Sequence, residues 1–183
     1  MPVDSSFESA GASAGPSLFA ARLAEGGVDV ERLRPPDFPF ETVWETYGSL
    51  LDMEIGAHTP KLVRLMAYLF RLNPFLVFPF SYEKYLKVLT ERDRLVSMME
   101  AFLDEYDVWI IPTSPIAAFE HRAPKTHRGP FPVYEDPVMV EGQPLDYWEA
   151  IGSYTVLLNL TGHPAVVVPI GFTEGGLPIG AQI

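Results

Sequence analysis

Twice in this chain a helical period runs directly into a block of apolar residues that a proline closes. Over residues 81–105, Tyr82, Tyr85, Leu86, Leu89, Val96, Met99, Phe102 and Leu103 recur at helical spacing. Ser81 is placed to cap that helix, and Glu83, Lys84, Lys87, Glu91 and Arg92 fill its wet side, with Asp93 and Arg94 interrupting the stripe. Asp107-Val108-Trp109-Ile110-Ile111 follows and Pro112 stops it, which predicts an inner strand covered on both faces. The second case opens on Asp146 with Glu149, a capping box. Its helix is expected to reach residue 160, burying Trp148, Ile151, Thr155 and Leu158. A strand over residues 165–168 comes next, ended by Pro169, and Gly175-Gly176 turns the chain into a return strand over 177–181. Helices feeding apolar strands in this way predict an α/β fold, a partial mixed β-sheet flanked by helices.

The remaining organisation is read around that frame. Residues 1–15 are rich in Ser, Gly and Ala without a period and read as a flexible arm; residues 16–183 read as one domain. Pro16 opens a short helix that Gly26-Gly27 ends, and Val28 and Val30 alternate with charges in a half-buried strand over 28–33. Three prolines make residues 34–39 a loop. A helix is expected over 41–55, with Val43, Trp44, Tyr47, Leu51 and Ile55 on one side, and another over 61–72, apolar around most of its circumference. Asn73-Pro74 and Phe78-Pro79 then break the chain. Residues 113–144 hold six prolines and two glycines with little period, and read as one long irregular loop. No internal repeat is present.

Composition removes several function classes. The chain has no cysteine, which excludes disulfide scaffolds, thiolate metal sites and cysteine nucleophiles. Thirteen Lys and Arg against 24 Asp and Glu give a formal charge of −11, a poor match for nucleic acid. The most hydrophobic stretch, residues 62–80, is broken by Arg64, Arg71, Asn73 and two prolines, so no membrane span is expected. No signal-peptide pattern opens the chain, and a cytoplasmic location is the expectation.

Hydrolytic chemistry needs an activated nucleophile or a metal. Among the four histidines no His-Glu-x-x-His pattern occurs; His121 and His127 sit near Glu120 and read as exposed loop residues rather than ligands. Gly11-Ala12-Ser13-Ala14-Gly15 matches a nucleophile elbow by letters, but no apolar strand precedes it, and it reads as tail. Ser81 to Lys84 matches Ser-x-x-Lys but reads as a helix cap and first turn, and Glu135-Asp136 is a chance neighbour pair. No metal or cofactor is implied.

Tyr106-Asp107-Val108-Trp109-Ile110-Ile111-Pro112-Thr113-Ser114-Pro115 resembles a strand of the amidase signature family. So does Asn159-Leu160-Thr161-Gly162-His163-Pro164-Ala165-Val166-Val167-Val168-Pro169-Ile170-Gly171, and Gly175-Gly176-Leu177-Pro178-Ile179-Gly180-Ala181-Gln182 completes the resemblance. Gly26-Gly27-Val28-Asp29-Val30-Glu31 is similar to the helix, glycine and strand that lead into this region, so nearly the whole chain is covered.

The resemblance implies the C-terminal portion of a serine–cis-serine–lysine amidase. Its nucleophile, second serine, lysine and oxyanion donors have no counterpart among these residues, so no catalytic residue is assigned. It places Thr113, Ser114 and Pro115 close to a substrate cleft; read as residues alone, they are a strand-end turn. Asn159, Gly162, Pro164, Pro169, Gly171, Gly176, Gly180 and Gln182 are the structural motif positions. Trp109, Ile111, Val166 and Val168 are candidates for a core or an interface. The expectation is an amidase-type fragment, cut at both ends and inactive alone, that pairs with itself or with a polypeptide supplying the missing half. The alternative is a non-catalytic small-ligand-binding or scaffold protein, with residues 62–80 and 113–144 shaping its groove. A third reading puts a newly assembled catalytic site at His121 or His127.

Overall fold

The computed structural model describes residues 14–63, 65, 81–128, 131–140, 142–173 and 175–183. The first described element is α1 (Ala14–Glu25), so helix replaces the last two residues of the expected arm. Its end is closed by Gly27 N–H donating to the Ala24 carbonyl and Val28 N–H to the Leu23 carbonyl, both at 3.0 Å. Gly27 carries φ +89°, the left-handed turn that this hydrogen-bond pattern requires.

The strand expected over residues 28–33 does not form. The alternation is right, but no described strand lies alongside to take its hydrogen bonds, and Val28 is 51 % exposed.

Helices α2 (Phe40–His58) and α3 (Tyr82–Leu103) are both present and longer than, or close to, their expected spans. Ser81 caps α3, its hydroxyl accepting from Lys84 N–H at 3.1 Å. The C-terminal half of α3 does the packing: Leu95, Met99 and Phe102 are buried against Phe38, Val43, Val156, Leu157 and Leu160. Burying one such side chain contributes roughly 1.5–3 kcal/mol, so this cluster carries the helical layer. Tyr82, Tyr85 and Leu86, in the first turns, stay exposed. The helix expected over 61–72 lies mostly outside the described residues; its described part, residues 61–63 and 65, is helical and exposed.

The apolar run over 107–111 gives only the two-residue strand β1 (Ile111–Pro112), not an inner strand. Trp109 leaves the sheet direction and packs edge-on against Phe102, ring centroids 5.4 Å apart, while Val108 faces solvent. Residues 113–144 are not one irregular loop. They hold β2 (Thr126–Arg128) and β3 (Phe131–Val133) as one antiparallel pair, and β4 (Val138–Val140) pairs with β5 (Gln143–Leu145) as another. Strands of three residues leave almost no period to read, so the letters do not announce them. Val138, Val140, Leu145 and Ala150 form a second small core, with Ile116 and Tyr147 against it.

The capping box at Asp146 is present in both arms. In place of the single helix expected after it there are two, α4 (Tyr147–Gly152) and α5 (Thr155–Thr161). At the break the Ser153 hydroxyl donates to the Glu149 carbonyl, and Gly152 leaves room for the Trp44 indole, which a Cβ would approach to 2.9 Å. Trp148, expected to be buried, is 42 % exposed on the outer side of the short helix.

Strands β6 (Val167–Phe172) and β7 (Pro178–Gln182) complete a three-stranded antiparallel sheet of order β1-β7-β6. Pro169 does not end β6. The strand passes through it with a register shift between Pro169 and Gly171, an irregularity that lets an edge strand tolerate the missing N–H. The expected partial sheet flanked by helices is thus present, with α1 packed on β6 and β7 and with α2, α3 and α5 packed on one another. No helix among the described residues is long and apolar enough to cross a membrane.

Candidate functional site

Where β1 ends, the chain turns away from the sheet and leaves a groove of about 390 Å³. One wall is Thr113, Ser114, Ile116, Ala117 and Ala118. The floor is Pro178, Ile179 and Gly180 of β7, and Val167 and Pro169 of β6 form the other wall. Sheet register explains the arrangement, because Pro169 pairs with Gly180, and Thr113 N–H reaches the Gly180 carbonyl at 3.5 Å. A Cβ on Gly180 would stand 3.1 Å from Thr113 Oγ1 and 3.2 Å from Val167 Cγ1. The bare glycine therefore lets both walls close on the floor.

The polar groups of the groove are few. Ser114 Oγ donates to the Ala150 carbonyl at 3.5 Å and accepts from Ile116 N–H at 3.4 Å, tying the wall to the second small core. Thr113 Oγ1 is buried with no hydrogen-bond partner among the described residues. None of the ten described lining residues has an ionisable side chain.

Pro115, grouped with Thr113 and Ser114 from sequence, is buried and is not among the lining residues. Gly162 is the C-cap of α5 at φ +76°, its N–H donating to the Leu158 carbonyl at 2.8 Å; Asn159 lies exposed inside the helix, three residues earlier. Pro164 is exposed in the link to β6, Gly171 follows the register shift, and Gly176 turns the chain toward β7 at φ +80°. Gln182 is buried on β7 opposite Val167, and its Nε2 has no hydrogen-bond partner among the described residues. Of the interface candidates, Ile111 is buried, Trp109 and Val168 half-buried, and Val166 exposed.

The groove brings Thr113 and Ser114 together with Val167, Pro169 and Gly180. Sequence reasoning misses the strand contributions because they depend on pairing register, and β6, apolar throughout, carries no alternation that would show which face lines a groove. His121 is exposed, His127 sits in β2 opposite Pro132, and no group of three potential metal ligands occurs among the described residues. Ser13 and most of the stretch over residues 62–80 lie outside the described residues.

Titrating groups that depart from ordinary behaviour lie away from the groove. Arg94 donates to both Glu91 oxygens at 2.6 and 3.0 Å and holds that carboxyl below its usual range. Burial pushes the Asp52 carboxyl up, partly opposed by the Lys84 charge. Burial and the neighbouring Tyr147, stacked at 3.8 Å, raise the Tyr134 phenol.

A family model described as Amidase matches residues 70–183. The chain belongs to the Amidase family. Its relatives include a glutamyl-tRNA(Gln) amidotransferase subunit of Alkaliphilus metalliredigens, 32 % identical over 99 residues, covering 54 % of this chain and 17 % of the relative. The corresponding protein of Neisseria meningitidis is 25 % identical over 173 residues, covering 92 % and 31 %. Among solved structures, this amidase-family chain resembles a bacterial aryl acylamidase of the amidase signature enzymes at TM-score 0.64 and 19 % identity, covering 93 % of this chain and 35 % of that one. It also resembles a chain of a vestigial protein complex tied to the origins of an s-triazine catabolic enzyme, in its inhibitor-bound form. There the TM-score is 0.68 and the identity 20 %, over 97 % of this chain and 36 % of that one. At these identities the structural likeness speaks for the fold. The chain spans about a third of the length of the solved chains it matches.

Proposed function

We propose that these 183 residues form the C-terminal sheet and one wall of the amide-binding cleft of an amidase, and do not hydrolyse amides by themselves. The carrying observation is the groove: two hydroxyls beside apolar strands, with no ionisable side chain among its described lining residues, in a chain of the Amidase family. The nucleophile, second serine, lysine and oxyanion donors then come from polypeptide outside these residues. Without nucleophile and oxyanion donors the main sources of transition-state stabilisation are missing. In this reading residues 16–183 act as one domain, cytoplasmic, with Thr113, Ser114 and Pro115 at the cleft.

A companion polypeptide, or a second copy, is part of the same proposal. Phe172 is 74 % exposed at the end of β6, and Val167 and the preceding Val166 are exposed at its start. The strand carries no charge and has no described neighbour on its outer side. Bare apolar edges of this kind are normally covered. The vestigial complex among the chains of similar fold supports association as well.

The test is ammonia release by the purified chain across simple aliphatic and aromatic amides. No turnover above the buffer blank is expected. Turnover that survives purification and disappears in His121→Ala or His127→Ala would overturn the proposal. A non-catalytic small-ligand-binding role is the second reading, favoured by the same uncharged groove. A stable monomer that binds small amides supports it, and persistent self-association through the sheet edge supports the first.

A further inference from the structure

We infer that the outer edge of β6 pairs with the same edge of a second copy, antiparallel about Val167, and that Pro169 closes the ladder at each end. This rests on the companion in the reading above and narrows it to a second copy of this chain.

Hydrogen bonding within the sheet shows which backbone groups of β6 are left over. Val166 and Ile183 exchange both of their bonds, each 2.9 Å from nitrogen to oxygen. Along an antiparallel pair, residues that exchange both bonds alternate with residues that exchange none. Val168 and Ala181 are thus the next bonded pair, whereas Val167, opposite Gln182, and Pro169, opposite Gly180, turn their backbone groups away from β7. The other side of β7 agrees: the Gly180 carbonyl accepts from Thr113 N–H, toward β1. Val167 therefore carries an N–H and a carbonyl on an edge beside which no described strand lies. Pro169 carries a carbonyl there without an N–H.

Val167 is its own complement. With a two-fold axis through it, each Val167 N–H meets the carbonyl of the other Val167. In that register Val166 stands beside the second copy's Val168, and Pro169 beside the second copy's Ala165. Val166 is 63 % and Val167 55 % exposed in the single chain, and the pairing covers both. Neither β6 nor the two residues before it carry an ionisable side chain, so two chains of net charge −11 meet there with no like charges opposed. A charged segment of another polypeptide would find no counter-charge along it. At Pro169 one of the two bonds is missing, and the register shift that follows breaks the ladder, so the assembly closes as a dimer. Val167 and Pro169 also form a wall of the groove, and the second copy's Val167 is added to that wall.

The experiment takes the full 183-residue chain through size exclusion with light scattering, and through amide hydrogen exchange at a high and a low concentration. A mass twice the monomer's 20.4 kDa is expected at the high concentration. The Val167 amide should exchange more slowly there than on dilution, while the Val168 amide, bonded to β7, is protected at both. Val167→Pro removes only an outward N–H from the strand and should return the monomer mass with an unchanged circular dichroism spectrum. Pro169→Val supplies one further donor from each copy and should tighten the dimer about tenfold. A folded wild-type chain that stays monomeric would overturn the inference. So would a dimer whose Val167 amide exchanges alike at both concentrations, or one that Val167→Pro leaves intact. If the proline variant does not fold, the wild-type exchange alone decides. Ammonia release is read separately. Turnover lost in the histidine variants would sink the amidase-wall reading while leaving the pairing standing, and a monomer without turnover would sink only the pairing.

Discussion

Replacing Arg92 by methionine removes a side chain of α3 that closes the C-terminal end of α5. Arg92 Nε donates to the Leu160 carbonyl at 2.9 Å, a contact spanning 68 residues of sequence. Behind that carbonyl the chain turns through Gly162, where a Cβ would stand 3.6 Å from Arg92 Nη2. A hydrogen bond from a charged donor is worth about 1.5–3 kcal/mol, and a cation at a helix C-terminus adds about 0.3–1 kcal/mol. The Arg92 side chain is 38 % exposed, so solvent screening keeps the sum near the lower end, about 2 kcal/mol. Urea slopes for chains of this size are about 1–3 kcal/mol per molar. The unfolding midpoint of R92M should therefore fall by about 1 M at an unchanged slope. Arg92→Lys keeps the charge without the Nε donor and should fall about half as far. A midpoint for R92M that coincides with the wild type would refute the reasoning, because the contact would then hold nothing that water does not replace.

Two further substitutions test the electrostatics and the cap. Burial raises the Asp52 carboxyl, so the native state holds its proton more tightly than the unfolded chain does, and stability falls as pH rises from the ordinary carboxylate range through the raised value. Asp52→Asn should therefore raise the melting temperature at neutral pH and leave it unchanged below about pH 3, where Asp is protonated in both states; a loss at neutral pH would show that attraction to Lys84 outweighs burial. Asp146→Ala removes the oxygen that accepts from Trp148 N–H at 2.8 Å and should cost about 1 kcal/mol in urea unfolding, with α4 too short to hold itself by propensity. An unchanged stability would mean that packing of Ala150 and Tyr147 alone fixes that helix.

How far these features can be read from sequence depends on how local their causes are. The cap at Ser81, the capping box at Asp146 and the glycine turn after α1 each need only a few neighbouring residues, and all three stand where the letters put them. Where a partner decides, the letters mislead. Residues 28–33 alternate like a strand yet find no described strand to join, and Trp109 sits in an apolar run yet packs on Phe102 rather than in the sheet. Pro169 reads as a terminator by its missing N–H, but a register shift absorbs it, and that shift is a property of two strands together.

The groove shows the same division more sharply. Read as residues alone, Thr113 and Ser114 are a strand-end turn, and only the family resemblance singles them out. Their opposite wall is not marked as one, since Val167 and Pro169 acquire meaning only once β6 lies against β7 and Pro169 stands across from Gly180. Nor does the identity of Gly180 signal itself: a glycine before a strand end is ordinary, and its reason, the 3.1 Å that would separate a Cβ from Thr113 Oγ1, is a distance between residues 67 positions apart. The buried Nε2 of Gln182 belongs to the same class. A buried donor with no acceptor costs about 1–3 kcal/mol, and a sequence position cannot reveal that cost, because an acceptor is supplied or withheld by whatever the fold brings near it. The residues that hold this sheet together and those that shape its cleft are the same few positions of β6 and β7, and substitutions there will change stability and binding together.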